Sequence, residues 1–298
     1  MSDEIELKMA LSPEGPACLV EHPLLQTMAS RTVSLGNQYY DTAERALQAR
    51  RVALRLRRQG DKRLQTLKSA AESRGGLSSR GEWEWSIDDA ECNAAGLDLN
   101  GLRALEHPAL SELDLDALRP VFTTHFERRL WRYQAEGSDI EIALDQGTIQ
   151  AGDASLPIRE LELELKQGRP EQLWKLAQIL CTPASPDATP LPARPANHSK
   201  ASRAARLGSG WPEPTAIATV SVDALIEAID NWQDSGNAAW LATAEAQCER
   251  LIQQWEAADE VNGRTPCRES AERVLADLRQ GRIPWHAQDW LALRRRDQ

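Results

Sequence analysis

Two segments alternate charged and aliphatic residues at strand period and nearly repeat each other: Glu4-Ile5-Glu6-Leu7-Lys8 and Glu162-Leu163-Glu164-Leu165-Lys166. A strand sends successive side chains to opposite faces, so each copy puts two carboxylates and an ammonium on one face and aliphatics on the other. Glu160 extends the second acidic row to three. Similar alternation predicts eight strands, at residues 4–9, 33–41, 52–59, 63–68, 82–87, 121–133, 140–145 and 158–166. Most are joined as hairpins or meanders, with turn chemistry at Gly60-Asp61 and Asp145-Gln146-Gly147. A Pro/Gly loop covers 12–16, and helices are predicted at 24–30, at 94–118 with a break near His107-Pro108, and at 170–180. A Pro-rich connection then runs through Pro195 to a short segment at 199–207.

The period changes after Gly208-Ser209-Gly210-Trp211-Pro212-Glu213-Pro214. Residues 222–232, 238–259 and 268–278 carry apolar positions three and four apart, the mark of amphipathic helices. Trp232, Trp240, Trp255, Trp285 and Trp290 read as packing anchors of a small helical bundle. The expected organisation is a first domain at 1–207, a linker at 208–217 and an α-helical domain at 218–298.

Each predicted strand of the first domain has one face rich in charge. Arg55 and Arg57 lie opposite Leu54 and Leu56; Thr66 and Lys68 opposite Leu67; Arg80, Glu82 and Glu84 opposite Trp83, Trp85 and Ile87. Glu141 and Asp145 lie opposite Ile140, Ile142 and Leu144, and Arg129 falls with Glu127, opposite Phe126, Arg128 and Leu130. Two architectures fit. Charged faces could look at water around a sandwich core, which the pattern alone favours. Alternatively, eight strands could close into a barrel with charges inward and helices covering the apolar exterior. The helices at 94–118 and 170–180 favour the barrel, because they need an apolar surface to cover.

With 298 residues and 41% hydrophobic content, the chain is long enough for a substantial core. Its formal net charge of −10 argues against a general nucleic-acid surface. The start, Met1-Ser2-Asp3-Glu4, has neither the basic nor the apolar region of a signal peptide, and no apolar run is long enough to span a membrane. The five cysteines form no CxxC pair, so neither a zinc site nor a disulfide framework is indicated, and a cytoplasmic setting is expected. The five histidines are scattered, no Ser-His-Asp or Cys-His set stands out, and no GxxxxGK[ST] loop is present.

Crowded carboxylates resist ionising, and a divalent cation relieves that, since Mg²⁺ favours carboxylate oxygens. Arg suits bidentate phosphate contacts, and Lys supplies a mobile point charge. A lumen holding Arg, Lys and Glu together therefore suits a polyphosphate with metal and suits an apolar ligand poorly.

These motifs resemble the CYTH, or triphosphate tunnel metalloenzyme, superfamily. Glu4-Ile5-Glu6-Leu7-Lys8 resembles its N-terminal ExExK signature. Supporting matches are Gln38-Tyr39-Tyr40-Asp41-Thr42, Leu54-Arg55-Leu56-Arg57, Leu64-Gln65-Thr66-Leu67-Lys68, Glu82-Trp83-Glu84, Glu141-Ile142-Ala143-Leu144-Asp145, the stretch from Glu160 to Lys166, and Ser199-Lys200-Ala201-Ser202-Arg203. The resemblance covers about two-thirds of the chain. It implies an α+β fold: an eight-stranded antiparallel β tunnel, a closed barrel with a charged lumen and covering helices, plus the small C-terminal helical domain.

The resemblance further implies hydrolysis of inorganic triphosphate to pyrophosphate and phosphate with Mg²⁺ or Mn²⁺. Lys8 and Lys200 are expected to be catalytic. Arg55, Arg57, Lys68, Arg129 and Arg203 are expected to bind phosphate, and Glu4, Glu6, Asp145, Glu162 and Glu164 to hold metal. Glu82 and Glu84 are candidates for a second metal or for ordering the basic residues. Water is the expected nucleophile, with no side-chain base assigned. Related activities on the same fold are thiamine triphosphatase, nucleoside or RNA triphosphatase and a class IV-type adenylyl cyclase; a non-catalytic polyphosphate-binding module is the rival of another class. Members of this type often carry Arg-Gly after Ser-Lys-Ala, whereas Arg203 is followed by Ala204. The C-terminal helices stand where bacterial members carry a CHAD module, but are short for one and lack its His- and Arg-rich helix. They are expected to supply no site residue, so a fragment ending near Gly210 is expected to keep activity.

Overall fold

The computed structural model describes residues 2–69, 72–88, 92–183, 185, 189–262 and 266–294. Its strands are β1 (Ser2–Leu11), β2 (Ser30–Asp41), β3 (Val52–Gln59), β4 (Lys62–Ser69), β5 (Glu72–Arg74), β6 (Leu77–Ser86), β7 (Arg119–Ala135), β8 (Ser138–Ala151), β9 (Ala154–Gln167) and β10 (Ala193–Pro195). Its helices are α1 (Gly15–Val20), α2 (Pro23–Gln26), α3 (Ala46–Ala49), α4 (Leu99–Ala104), α5 (Glu171–Cys181), α6 (Lys200–Ser209), α7 (Val222–Ser235), α8 (Ala238–Asn262), α9 (Pro266–Leu278) and α10 (Ala287–Arg294).

Strand β1 closes the sheet. One edge pairs antiparallel with β9, from Ile5↔Leu165 to Ala10↔Glu160. The other pairs with β6, from Ser2↔Glu82 to Leu7↔Leu77. The remaining order, β9-β8-β7-β2-β3-β4-β6, completes an eight-stranded antiparallel barrel, with β10 and β5 as short additions. Full closure removes the exposed edges of an open sheet.

The apolar faces point outward, and helices cover them. Leu7, Ile140, Ile142, Leu161 and Leu163 pack with Leu173, Leu176 and Leu180 of α5. Around the barrel, Leu54, Leu56 and Leu67 pack with Leu97, Leu99, Leu102 and Leu115. Each such side chain, fully buried, contributes about 1.5–3 kcal/mol. The barrel is therefore selected over the sandwich: its charged faces have only the interior left to them.

The segment predicted as a helix at 94–118 is mostly not one. Only α4 is α-helical, capped by Asp98, whose carboxylate accepts from Gly101 N at 2.8 Å. Two 3₁₀ turns, Pro108–Leu110 and Leu115–Ala117, follow. Its leucines all reach the same exterior cluster, so their spacing reports a shared packing surface and not a helix. The helix predicted at 24–30 is the short α2, and β2 begins at Ser30.

Helices α7 to α10 form the separate apolar cluster expected, around Leu225, Ile229, Leu251, Val274 and Trp290. The predicted linker is less loose than its composition suggests. Gly208 and Ser209 belong to α6. The following stretch is strapped to α8, where Trp240 Nε1 donates to Pro212 O at 2.9 Å and Gln247 Nε2 to Thr219 O at 3.0 Å. Among the described residues no helix is long and apolar enough to cross a membrane, and none of the five cysteines is in a disulfide.

Candidate active site

Closure turns strand alternation into chemistry. The barrel encloses a cavity of about 610 Å³. Into it point Glu4, Glu6 and Lys8 of β1, Arg55 and Arg57 of β3, Lys68 of β4, and Arg80, Glu82 and Glu84 of β6. Arg128 of β7, Glu141 of β8, and Glu162, Glu164 and Lys166 of β9 complete the wall, with Lys200 and Arg206 of α6. Helix α6 lies across one part of the lumen. Ala204 and Leu207 pack on Leu35, Phe126, Ile149 and Ile158, giving an apolar floor. The first turn of α6, capped by Ser199, lines the cavity and adds a helix N-terminus that favours anions.

Most lumen charges are paired. Arg80 donates to Glu4 at 2.6 Å and to Glu6 at 2.9 Å. Lys68 donates to both Glu4 oxygens, at 3.0 and 2.9 Å, and lies 3.1 Å from Glu82. Arg55 reaches Glu84 at 3.2 Å. Burial raises the Glu4 carboxyl, but Lys68 and Arg80 outweigh it and hold Glu4 well below the usual carboxylate range.

Two places remain under-neutralised. Arg57 donates to Asn37 Oδ1 at 2.9 Å, and among the described residues no carboxylate pairs with it. Burial, with Arg55 and Arg128 nearby, pulls Arg57 down to about 10. Lys68 is likewise lowered, by burial and by Arg80 and Arg55. Lys68 keeps its carboxylate partners, whereas Arg57 faces the cavity without one among the described residues. The complementary place is a carboxylate row on three adjacent strands: Glu6 faces Glu164, and Glu164 faces Glu141. Like charges directly opposite each other destabilise a sheet. Lys166 lies 2.5 Å from Glu164, yet burial, together with Glu4 and Glu141, keeps the Glu164 carboxyl above its ordinary value. An oxygen-only, under-neutralised acidic row suits a hard divalent cation.

A third cluster is already filled. Asp145, Glu160 and Glu162 bring carboxylate oxygens within 4.8 Å of one another. The Lys200 ammonium sits among them, 2.8 Å from Asp145, 2.6 Å from Glu160 and 2.8 Å from Glu162. An ammonium has three donors, so this environment satisfies it fully. Burial opposes the charge, but the three carboxylates raise Lys200 well above an ordinary lysine. Arg128 adds contacts to Asp145 at 2.6 Å and Glu162 at 2.5 Å.

The sequence-predicted residues therefore divide. Glu4, Glu6, Lys8, Arg55, Arg57, Lys68, Glu82, Glu84, Glu162, Glu164 and Lys200 all line one cavity. Asp145 is fully buried beneath Arg128 and Lys200, where it serves as their counter-ion. Arg129 is on the wrong face: it donates to Ser30 Oγ at 3.1 Å on the outside and lies over Trp131, while Arg128 points inward. The expectation failed because the inward face of β7 also carries Phe126, so charge alone did not mark it. Arg203 lies under the floor, against Glu160 and Asp234, and not in the lumen. The sequence puts Arg80 and Glu141 on charged faces without assigning either a role, and Arg206, Arg128 and Asn37 carry no signal of their own.

The strand register gives a paired prediction. Arg57→Ala should lower kcat/KM for a triphosphate about 10–100-fold, the loss expected for a charged hydrogen bond of about 1.5–3 kcal/mol. Arg58→Ala, on the exposed side of the same strand, should change it little. Steady-state kinetics of both variants checks this; equal losses would mean the inward face is misassigned.

A CYTH domain matches residues 2–186 of the chain. An inorganic triphosphatase of Haemophilus influenzae is 35% identical over 184 residues, covering 60% of this chain and 50% of that protein. The chain thus spans about half the length of this relative. Among solved structures, a proposed adenylyl cyclase from Hippeastrum with a dominant triphosphatase activity aligns at 20% identity and a TM-score of 0.48, covering 69% of this chain and 96% of that one. The S. pombe RNA triphosphatase aligns at 14% identity and a TM-score of 0.29, covering 55% and 70%. The domain match spans more than half of the chain, and the chain belongs to the CYTH domain family.

Proposed function

We propose that this CYTH protein hydrolyses inorganic triphosphate to pyrophosphate and phosphate, using a divalent cation, Mg²⁺ or Mn²⁺. The observation that carries this reading is the paired imbalance of the lumen. One wall has a guanidinium, Arg57, with no carboxylate partner among the described residues, and the other has the carboxylates of Glu6, Glu164 and Glu141 facing one another across three strands. A polyanion accompanied by a cation neutralises both at once; either alone leaves one wall unmet.

Arg57, Arg55 and Lys68 bind phosphate oxygens from one side and Lys8 and Arg128 from the floor side, where Lys200 exchanges one of its three carboxylate partners for a phosphate oxygen. Arg128 is locked by Asp145 and Glu162 behind it, so it needs little reorganisation as charge builds on a transferring phosphoryl group. Glu6, Glu164 and Glu141, with Glu4 beside them, would hold the cation, which would supply positive charge to offset that developing on the phosphoryl group. No side-chain base is assigned; water attacks in a lumen whose donors fix the substrate's orientation.

A second reading has one observation in its favour. Tyr39 and Phe122 stack with ring centroids 4.4 Å apart and both line the cavity, a surface that a nucleobase or thiamine ring could use. The test is phosphate release from inorganic triphosphate, ATP, thiamine triphosphate and long-chain polyphosphate, each with Mg²⁺, with Mn²⁺ and with EDTA. Inorganic triphosphate is expected to give the highest kcat/KM, with no turnover in EDTA. A higher kcat/KM for ATP or thiamine triphosphate would replace the first reading with the second.

A further inference from the structure

Helix α7 belongs to the C-terminal bundle, yet one of its faces is built for the tunnel. Asp223, Glu227, Asp230 and Asp234 recur at spacings of four, three and four, which places them on one side of the helix. Leu225, Ile226 and Ile229 occupy the other side, in the core of the bundle. Every carboxylate on the polar face meets the first domain. Asp223 accepts from Gly75 N. Glu227 accepts from Arg206 at 2.9 Å. Asp230 takes Arg194 at 2.6 Å and the Asn197 amide at 2.9 Å, fixing the approach to α6. Asp234 grips Arg203 with both oxygens, at 2.7 and 3.0 Å.

The last contact continues inward. Arg203 donates to one oxygen of Glu160 at 2.9 Å, and the other Glu160 oxygen accepts from the Lys200 ammonium at 2.6 Å. A line of alternating charges thus runs from α7 to a lumen cation. Its members are almost entirely buried: Asp234 is 5% exposed and Glu160 4%. Low surrounding polarity makes such a line stiff, because no water replaces a lost partner.

We propose that α7 is part of the catalytic unit, and that Asp234 is a positioning residue that sets the Lys200 ammonium through Arg203 and Glu160. This rests on the reading that Lys200 meets phosphate. It also replaces the expectation that a fragment ending near Gly210 would be self-sufficient. Without the Asp234 charge, Arg203 turns its whole guanidinium to Glu160 and draws that carboxylate off Lys200.

The test uses the full-length chain with Mg²⁺ and inorganic triphosphate. Asp234→Asn should lower kcat/KM about 10-fold or more, mainly through KM, on the way to the roughly 10²-fold cost of an ångström-scale misplacement. Asp234→Glu, which keeps the charge but shifts the fork, should fall between Asn and wild type. Asp289→Asn breaks the Arg273–Asp289 pair elsewhere in the bundle and should lower Tm without moving KM. Wild-type KM and kcat in a folded Asp234→Asn protein would overturn the proposal; if that variant does not fold, wild-type KM in Asp234→Glu would do the same. Failure of the functional reading looks different: the wild-type chain itself would not turn over triphosphate. In that case calorimetric binding of triphosphate to wild type and Asp234→Asn decides the positioning claim, a weakened variant supporting it and equal affinity overturning it.

Discussion

Glu164→Gln should abolish nearly all metal-dependent hydrolysis while leaving the protein as stable as before or slightly more so. The two halves of this result have one cause. Glu164 faces Glu6 on one side and Glu141 on the other. Burial and its acidic neighbours raise its carboxyl above the ordinary value. Without a cation the ionised form is therefore disfavoured in the fold, and removing it relieves repulsion. With a cation the same carboxylate is needed to hold it. Activity should fall about 10²–10³-fold, the loss typical of one electrostatic stabiliser of a transition state. Thermal melting without metal, alongside turnover at limiting Mg²⁺, checks both halves. Full turnover at limiting Mg²⁺ would remove Glu164 from the metal set.

Lys200→Met should have the opposite signature, with loss of activity accompanied by loss of stability. The ammonium is the shared partner of Asp145, Glu160 and Glu162. Removing one member of a buried ionic cluster costs about 3–5 kcal/mol, because the remaining charges stay buried and unpaired. The pH dependence should also reverse in sign. In the wild type, burial raises Glu162 but Lys200 and Arg128 outweigh it, so its folded pKa is well below the unfolded value. The stability it contributes is therefore present above the unfolded pKa and is lost as pH falls toward the folded one. In Lys200→Met the carboxylates face one another with less compensation, and their folded pKa values rise. The folded state then binds protons more readily than the unfolded chain, so acidification stabilises the variant relative to pH 8. Denaturant unfolding of both proteins at pH 8 and pH 5 measures this. A variant as stable as wild type at pH 8 would contradict the cluster's electrostatics.

What could be read from the sequence follows from how local each signal is. The repeated acidic strands were legible because alternation is a property of neighbours: Glu4 and Glu6 point inward for the same reason that Leu7 points outward. Closure was not a local property. It depends on β1 pairing with both β6 and β9, and only the need of the predicted helices for an apolar surface, together with the family resemblance, favours it over a sandwich. β7 was misread because Phe126 and Arg128 share its inward face, so a rule that charged residues point inward chose Arg129. Arg203 was misplaced for a related reason. The motif puts it beside Lys200 in sequence, but on α6 Lys200 and Ala204 share the lumen side, while Arg203 turns toward β9 and α7. Its partner Asp234 is 31 residues away. No periodicity within either segment joins them.

The central claim, that the tunnel turns over triphosphate and does not merely hold it, is tested most directly by product stoichiometry. Inorganic triphosphate incubated with the full-length chain and Mg²⁺, or Mn²⁺, should disappear with equimolar pyrophosphate and phosphate forming, as separated by ion chromatography. EDTA should stop both products together. Triphosphate that binds in calorimetry but remains intact with either metal would contradict the account and leave a polyphosphate-binding module in its place.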